Sequence, residues 1–289
     1  MTEGIIIKAL SGFYYVKTTE GIIQCRARGK FRLDGTSPLV GDKVMVEHSG
    51  GNGTVSKVLE RRNWFVRPAV ANISLLVFVA SGALPVTDPF LIDRVAVIAE
   101  ESECDFLICV NKTDLAPAEE LNEIYSHTPY RVIRTSTVTG EGISELRQAL
   151  EGKVSAFTGN SGVGKSSLLN AIDSGLNITT AEISEKLGRG KHTTRHTELY
   201  ELADNTYIAD TPGYASFEIE MMKDIDKKDL QFDFPEFRPH IGNCRYSDCV
   251  HKREPGCAIT GARSAGEISE SRYNSYLRLF ELVSQQKQW

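Results

Sequence analysis

Residues 159–166 read Gly-Asn-Ser-Gly-Val-Gly-Lys-Ser, and no other stretch of this chain restricts its fold as much. The pattern is G-x-x-x-x-G-K-[ST]. It works only where a buried strand ends and a helix begins, because its glycines let backbone N–H groups point at a phosphate while the helix N-terminus adds partial positive charge. Both flanks are present: Val154 to Thr158 reads as an apolar strand and Ser167 to Ile172 as a helix. An α/β sheet must therefore surround the loop. Gly159, Asn160, Ser161, Gly162, Val163, Gly164, Lys165, Ser166 and Ser167 are the candidate phosphate-binding residues. Lys165 is expected to reach the β and γ phosphates. Ser166 offers a hydroxyl to Mg²⁺, a hard cation that prefers oxygen.

Apolar strands alternate with amphipathic helices from residue 72 onward. Ile73 to Ala80, Phe106 to Val110, Arg131 to Arg134, Thr197 to Leu202 and Thr206 to Ala209 are the further predicted strands. Asp88 followed by Pro89 predicts a capped helix whose apolar face holds Leu91, Ile92, Val95, Ala96 and Ala99. The predicted fold class is thus a sheet covered on both faces.

Asn111-Lys112-Thr113-Asp114 follows one of these strands at its carboxyl end. The Asp114 carboxylate can accept from N1–H and the 2-amino group of guanine, whereas adenine has neither donor and would leave the carboxylate unpaired. Ser136, after the strand ending at Arg134, is expected to support the base through its backbone. Asp210-Thr211-Pro212-Gly213 supplies an aspartate to hold Mg²⁺ through water and, at Gly213, an N–H for the γ-phosphate. The Gly-, Thr- and Lys-rich stretch 177–196 is expected to act as a switch, with Thr193 or Thr194 completing the Mg²⁺ shell. Tyr214 stands where a water-orienting glutamine often follows the glycine, so slow intrinsic hydrolysis is expected. His192 on the switch is the candidate to orient the water.

Formal charge separates three segments. Residues 1–67 carry +5, residues 68–220 carry −11, and residues 221–289 carry +1, within a net −5. The basic first segment reads as five short alternating strands, at residues 5–9, 13–17, 22–28, 43–47 and 53–59, consistent with an all-β OB-fold barrel. Lys30, Arg32 and the loop 49–53 would lie at its rims, a surface suited to RNA phosphates. Arg67-Pro68 marks the expected junction.

Near the other end, Cys244-x4-Cys249-x-His251-x5-Cys257 offers three thiolates and an imidazole, enough for one closed, structural tetrahedral Zn²⁺ site. Cys25, Cys104 and Cys109 read as core thiols. Tyr273, Tyr276, Leu277, Phe280 and Val283 recur at helical spacing as a packing face. The N-terminus lacks the pattern of a secretory signal, and the longest apolar stretch, Ile73 to Val86, is interrupted and too short to span a bilayer. A cytoplasmic, monomeric chain without a membrane partner is the expectation.

The nucleotide motifs occur in an unusual order, with Asn111 to Asp114 and Ser136 preceding the phosphate loop, a circular permutation that termini lying close together make feasible. Together with the basic barrel and the Cys/His spacing, this order resembles the RsgA (YjeQ/YloQ) family over essentially the whole chain. The resemblance implies a GTPase stimulated by the small (30S) ribosomal subunit and acting late in its maturation. It also implies contact of the barrel and zinc domain with rRNA. The expected architecture is an OB-fold RNA-binding domain at 1–67, a circularly permuted P-loop GTPase domain at 68–220, and a helical zinc-binding domain at 221–289. Two rival readings remain at this point: an RNA-binding module in which GTP is sensed and hydrolysis is incidental, and an adenine-specific ATPase using the same phosphate loop.

Overall fold

The computed structural model of the chain describes residues 1–29, 31, 37–49, 52–66, 69–176, 197–210 and 225–285. Lys30, Arg32, Arg67 and Pro68 lie outside them. Five strands form the barrel: β1 (Thr2–Leu10), β2 (Phe13–Thr18), β3 (Gly21–Ala27), β4 (Lys43–Ser49) and β5 (Asn52–Val58). They pair in the order β1-β2-β3-β5-β4, and β4 returns to β1, so the cylinder is closed. Its interior follows the alternation in the sequence, with Ile6, Val16, Cys25, Val44, Val46 and Val55 all buried. A short hairpin of β6 (Trp64–Val66) and β7 (Ala69–Ala71) follows, flanking the expected junction. Ala71 N–H donates to the Val40 carbonyl at 2.8 Å, and Asn63 Nδ2 donates to the carbonyls of Ile73 and Ser102 at 2.8 and 2.9 Å. The chain here is tied down on both sides.

The central sheet contains β8 (Leu75–Ser81), β9 (Asp105–Asn111), β10 (Arg131–Arg134), β11 (Val154–Thr158), β12 (Glu198–Ala203) and β13 (Thr206–Asp210). Its order is β10-β9-β8-β11-β13-β12, parallel except for the β12–β13 pair. All seven residues of β8 are buried, as a strand covered on both faces requires. Leu75, Val77 and Val79 face one core with Phe157 and Leu168; Leu76, Phe78 and Ala80 face the other with Ile92 and Ala96. The helices are α1 (Pro89–Glu101), α2 (Glu119–Tyr125), α3 (Ile143–Leu150) and α4 (Lys165–Ile172). Asp88 caps α1 as expected, accepting from the Phe90 N–H at 2.9 Å. Helix α4 begins at Lys165 rather than Ser167, so Lys165 and Ser166 belong to its first turn.

The C-terminal segment contains two single-turn 3₁₀ helices (Leu230–Asp233 and Pro235–Phe237), then α5 (Ala258–Ser264) and α6 (Glu270–Gln285). Tyr273, Tyr276, Phe280 and Val283 are buried as expected, but Leu279 occupies the fully enclosed position and Leu277 is only partly covered. Helix α6 packs on α1 around an ion cluster. Arg272, wholly buried, donates to Asp93 Oδ1 at 2.8 Å and to both oxygens of Glu236 at 2.6 and 3.1 Å, and its guanidinium lies 4.5 Å from the centre of the Phe234 ring. Arg272→Ala would leave two acidic groups enclosed without their counter-charge, an outcome expected to cost roughly 3 kcal/mol. The check is the denaturation midpoint, which should fall, and Arg272→Lys should recover only part of the loss because it cannot donate in the same forked geometry.

Candidate nucleotide and metal sites

The carboxyl ends of β9, β10, β11 and β13 lie along one edge of the sheet, and each leads into a segment singled out by the sequence. The phosphate loop leaves β11 at Gly159, whose φ is +130° and where a Cβ would meet the Val79 carbonyl oxygen at 2.2 Å. Only glycine fits. Gly164 is as constrained, with φ +95° and a hypothetical Cβ 2.5 Å from Asn111 Nδ2. That contact joins two motifs separated by about fifty residues: Asn111 Nδ2 donates to the Val163 carbonyl at 2.9 Å, and Lys112 Nζ donates to the Gly162 carbonyl at 2.7 Å. Lys112 also reaches the Leu84 carbonyl at 2.8 Å.

Asn111 is buried, and its Oδ1 accepts from Thr135 Oγ1 at 3.2 Å. Asp114 is exposed, with one carboxylate oxygen held by Ser136 Oγ at 2.6 Å. The Ser136 backbone N–H is committed to the Glu141 carbonyl at 3.1 Å. The Ser136 hydroxyl thus orients Asp114. Thr113 Oγ1 lies 2.8 Å from Glu141 Oε2 and 3.0 Å from the Thr135 carbonyl, closing the two base-side loops on each other. The sequence carries no signal for these contacts of Thr135 and Glu141 beyond proximity to Ser136.

Lys165 Nζ donates to the carbonyls of Gly159 and Asn160 at 2.6 and 2.7 Å, and burial pushes its ammonium down to about 8. These acceptors carry no full charge, so the loop keeps net positive character suited to an anion. Ser166 is buried in the first turn of α4, and Asn160, Ser161 and Ser167 lie on the same loop and turn. Asp210 closes β13 next to β11. His192, Thr193, Thr194 and Gly213 lie outside the described residues.

Away from this edge, Cys244, Cys249, His251 and Cys257 converge, their ligand atoms all within 4.8 Å of one another. His251 Nδ1 is 3.6, 3.5 and 3.5 Å from the sulfurs of Cys244, Cys249 and Cys257, and the Cys244 and Cys257 sulfurs are 4.0 Å apart. A tetrahedral ion with Zn–S of ~2.3 Å and Zn–N of ~2.0 Å separates S from N by ~3.5 Å and S from S by ~3.8 Å. The four residues fit such an ion. His251 Nε2 lies 2.9 Å from Gln231 Oε1, a carbonyl that selects the Nε2–H tautomer and leaves Nδ1 free to ligate. Burial also pushes the imidazole below its ordinary value, which favours the neutral ring. Gln231, twenty residues upstream on a 3₁₀ turn, carries no sequence signal for this role.

Two family models match the chain: the RsgA GTPase over residues 58–220 and the RsgA N-terminal domain over residues 3–55. The chain belongs to the RsgA GTPase family. Among its relatives is the small ribosomal subunit biogenesis GTPase RsgA of Caldanaerobacter subterraneus subsp. tengcongensis, 43% identical over 289 residues and covering 99% of this chain and 97% of that protein. The protein of the same name from Halalkalibacterium halodurans is also 43% identical, covering 99% and 98%. Two solved structures superpose over nearly the full length: YjeQ from Thermotoga maritima, at TM-score 0.87 and 38% identity covering 99% of both chains, and YloQ, described as a circularly permuted GTPase, at TM-score 0.83 and 34% identity covering 100% and 97%. In this RsgA family member the motif order read from the sequence and the five-stranded barrel are both present.

Proposed function

We propose that the chain hydrolyses GTP to GDP and phosphate and acts with the small ribosomal subunit during its biogenesis. The observation that carries this reading is the junction of base-side and phosphate loops through Asn111, Lys112, Val163 and Gly162. In it, Asp114, set by Ser136, accepts from the guanine edge, Asn111 and Lys112 hold the base loop against the phosphate loop, and the amides of 160–166 with Lys165 bind the phosphates. Mg²⁺ held by Ser166, by Asp210 through water and by Thr193 or Thr194 would neutralise charge on the β and γ phosphates. His192 is the residue proposed to orient the attacking water.

The names of the relatives support the ribosomal partner. The basic N-terminal segment supports a barrel that contacts rRNA. Among the described residues no helix is long and apolar enough to cross a membrane. The reading further takes the chain as a cytoplasmic monomer organised as a barrel at 1–67, a GTPase domain at 68–220 and a zinc-binding domain at 221–289. The Cys/His cluster is proposed to hold one structural Zn²⁺.

Phosphate release from GTP, measured with and without purified small subunits, tests the reading. Turnover should rise several-fold or more with subunits, and excess ATP should not compete. A chain that binds GTP tightly but is unaffected by subunits would favour the sensing module, and equal competition by ATP would overturn the guanine assignment.

A further inference from the structure

Strand β12 is the antiparallel margin of the central sheet, and the barrel covers it: β1 pairs with β12 at Lys8 and Glu198. Among the described residues this pairing merges barrel and central sheet into one eleven-stranded sheet. Glu198 is also the partner of Asp210 across the β12–β13 ladder. Lys8, Glu198 and Asp210 therefore occupy one row across three adjacent strands, which at ~4.8 Å per strand places the barrel about 10 Å from the backbone of Asp210.

Two ion pairs reinforce the row. Lys8 Nζ lies 2.7 Å from Glu198 Oε2, and Lys17 Nζ on β2 lies 2.8 Å from Glu201 Oε2 farther along β12. All four side chains remain about one-third exposed, so these pairs add little to overall stability and are better suited to fixing register and angle. Beneath them Leu199, Tyr207 and Ala209 are buried in the same apolar cluster as Ile6 and Val16 of the barrel. A tilt of the barrel therefore moves β12, and β12 is bonded to the strand that ends at Asp210.

We infer that Lys8 and Lys17 are positioning residues for GTP hydrolysis: through Glu198 and Glu201 the barrel sets the placement of Asp210, and what the barrel touches is thereby transmitted to the reacting end of the nucleotide site. The inference rests on the assignment of Asp210 to the magnesium side of that site. It gives a physical route by which an RNA surface bound at the barrel changes turnover without approaching the nucleotide.

The test uses the full chain with Lys8→Ala and Lys17→Ala combined. The variant should lose about threefold or more in kcat, both alone and with small ribosomal subunits, while KM for GTP, affinity for GDP and co-sedimentation with subunits stay near wild type. Amide exchange across Glu198–Asp210 should quicken. Reversing the pair, Lys8→Glu with Glu198→Lys, should restore kcat and exchange protection, while Glu198→Lys alone should not. Unchanged kcat and exchange in the double variant would overturn the inference, as would failure of the reversed pair to recover either. If wild type itself shows no response to subunits, the ribosomal reading falls, and the turnover of the chain alone still decides the coupling.

Discussion

With the Cys/His cluster holding Zn²⁺ as proposed, a strong chelator is expected to unravel residues 244–257 while leaving the central sheet and helix α6 folded. Of that segment only His251 and Cys257 are buried, and the remainder is exposed or half-covered. Ordering fourteen backbone residues costs on the order of 14–28 kcal/mol. Two buried side chains cannot offset that, whereas a structural Zn²⁺ contributes about 10–16 kcal/mol of apparent folding free energy at neutral pH. Helix α6 has other support in Arg272 with Asp93 and Glu236, and in the contacts of Tyr276 with Phe234 and Phe237. The loss should therefore be local. Trypsin cleavage after Arg245, Lys252 and Arg253 should become rapid on chelation, with no matching rise in cleavage within the strands and helices of the central sheet. Cys257→Ser should reproduce this without chelator, and Gln231→Ala should weaken metal retention about 10- to 100-fold while leaving all four ligands in place. Persistent protection of these cleavage sites after metal loss would show that the segment folds on its own.

Guanine affinity is expected to fall about 10³-fold in Asp114→Asn. In the proposed site the carboxylate would supply two charge-assisted acceptors, each worth about 1.5–3 kcal/mol, and the carboxamide would replace one of them with a donor facing a donor. Because Ser136 Oγ can still donate to the remaining carbonyl oxygen, the loop should keep its shape and the protein its stability. A xanthine nucleotide, which carries a carbonyl where guanine has the 2-amino group, should bind the variant better than guanine does. Titration of fluorescent GDP and its xanthine counterpart against both proteins measures the exchange of preference. Equal loss of both ligands would mean that Asp114 acts on loop structure and not on the base.

The barrel strands and the β9 and β11 turns were legible because each depends on short-range pattern. Alternating side chains define β1 to β5 within a few residues, and the glycines at 159 and 164 meet steric demands visible in the motif itself. Other features had no such signal. The hairpin β6–β7 is three residues per strand, too short for a period to show, and it occupies the place expected for a junction. Gln231 is one amide among polar neighbours until the fold brings it to His251. Ser136 was legible as a candidate, but the contact of its hydroxyl with Asp114, 22 positions away, depends on the fold bringing the two loops together.

From residue order alone came the candidate chemistry at each point: a loop of phosphate-binding pattern, a carboxylate expected to select guanine, four residues at metal-ligand spacing and a permuted arrangement of motifs. Spacing along the backbone dictates which atoms a short segment presents, and that is local physics. The tertiary structure decided which segments meet: Lys8 with Glu198, 190 positions apart, and Arg272 with Asp93, 179 apart. Contacts at such separations follow from sheet order and from which apolar faces find each other, and no local propensity encodes them.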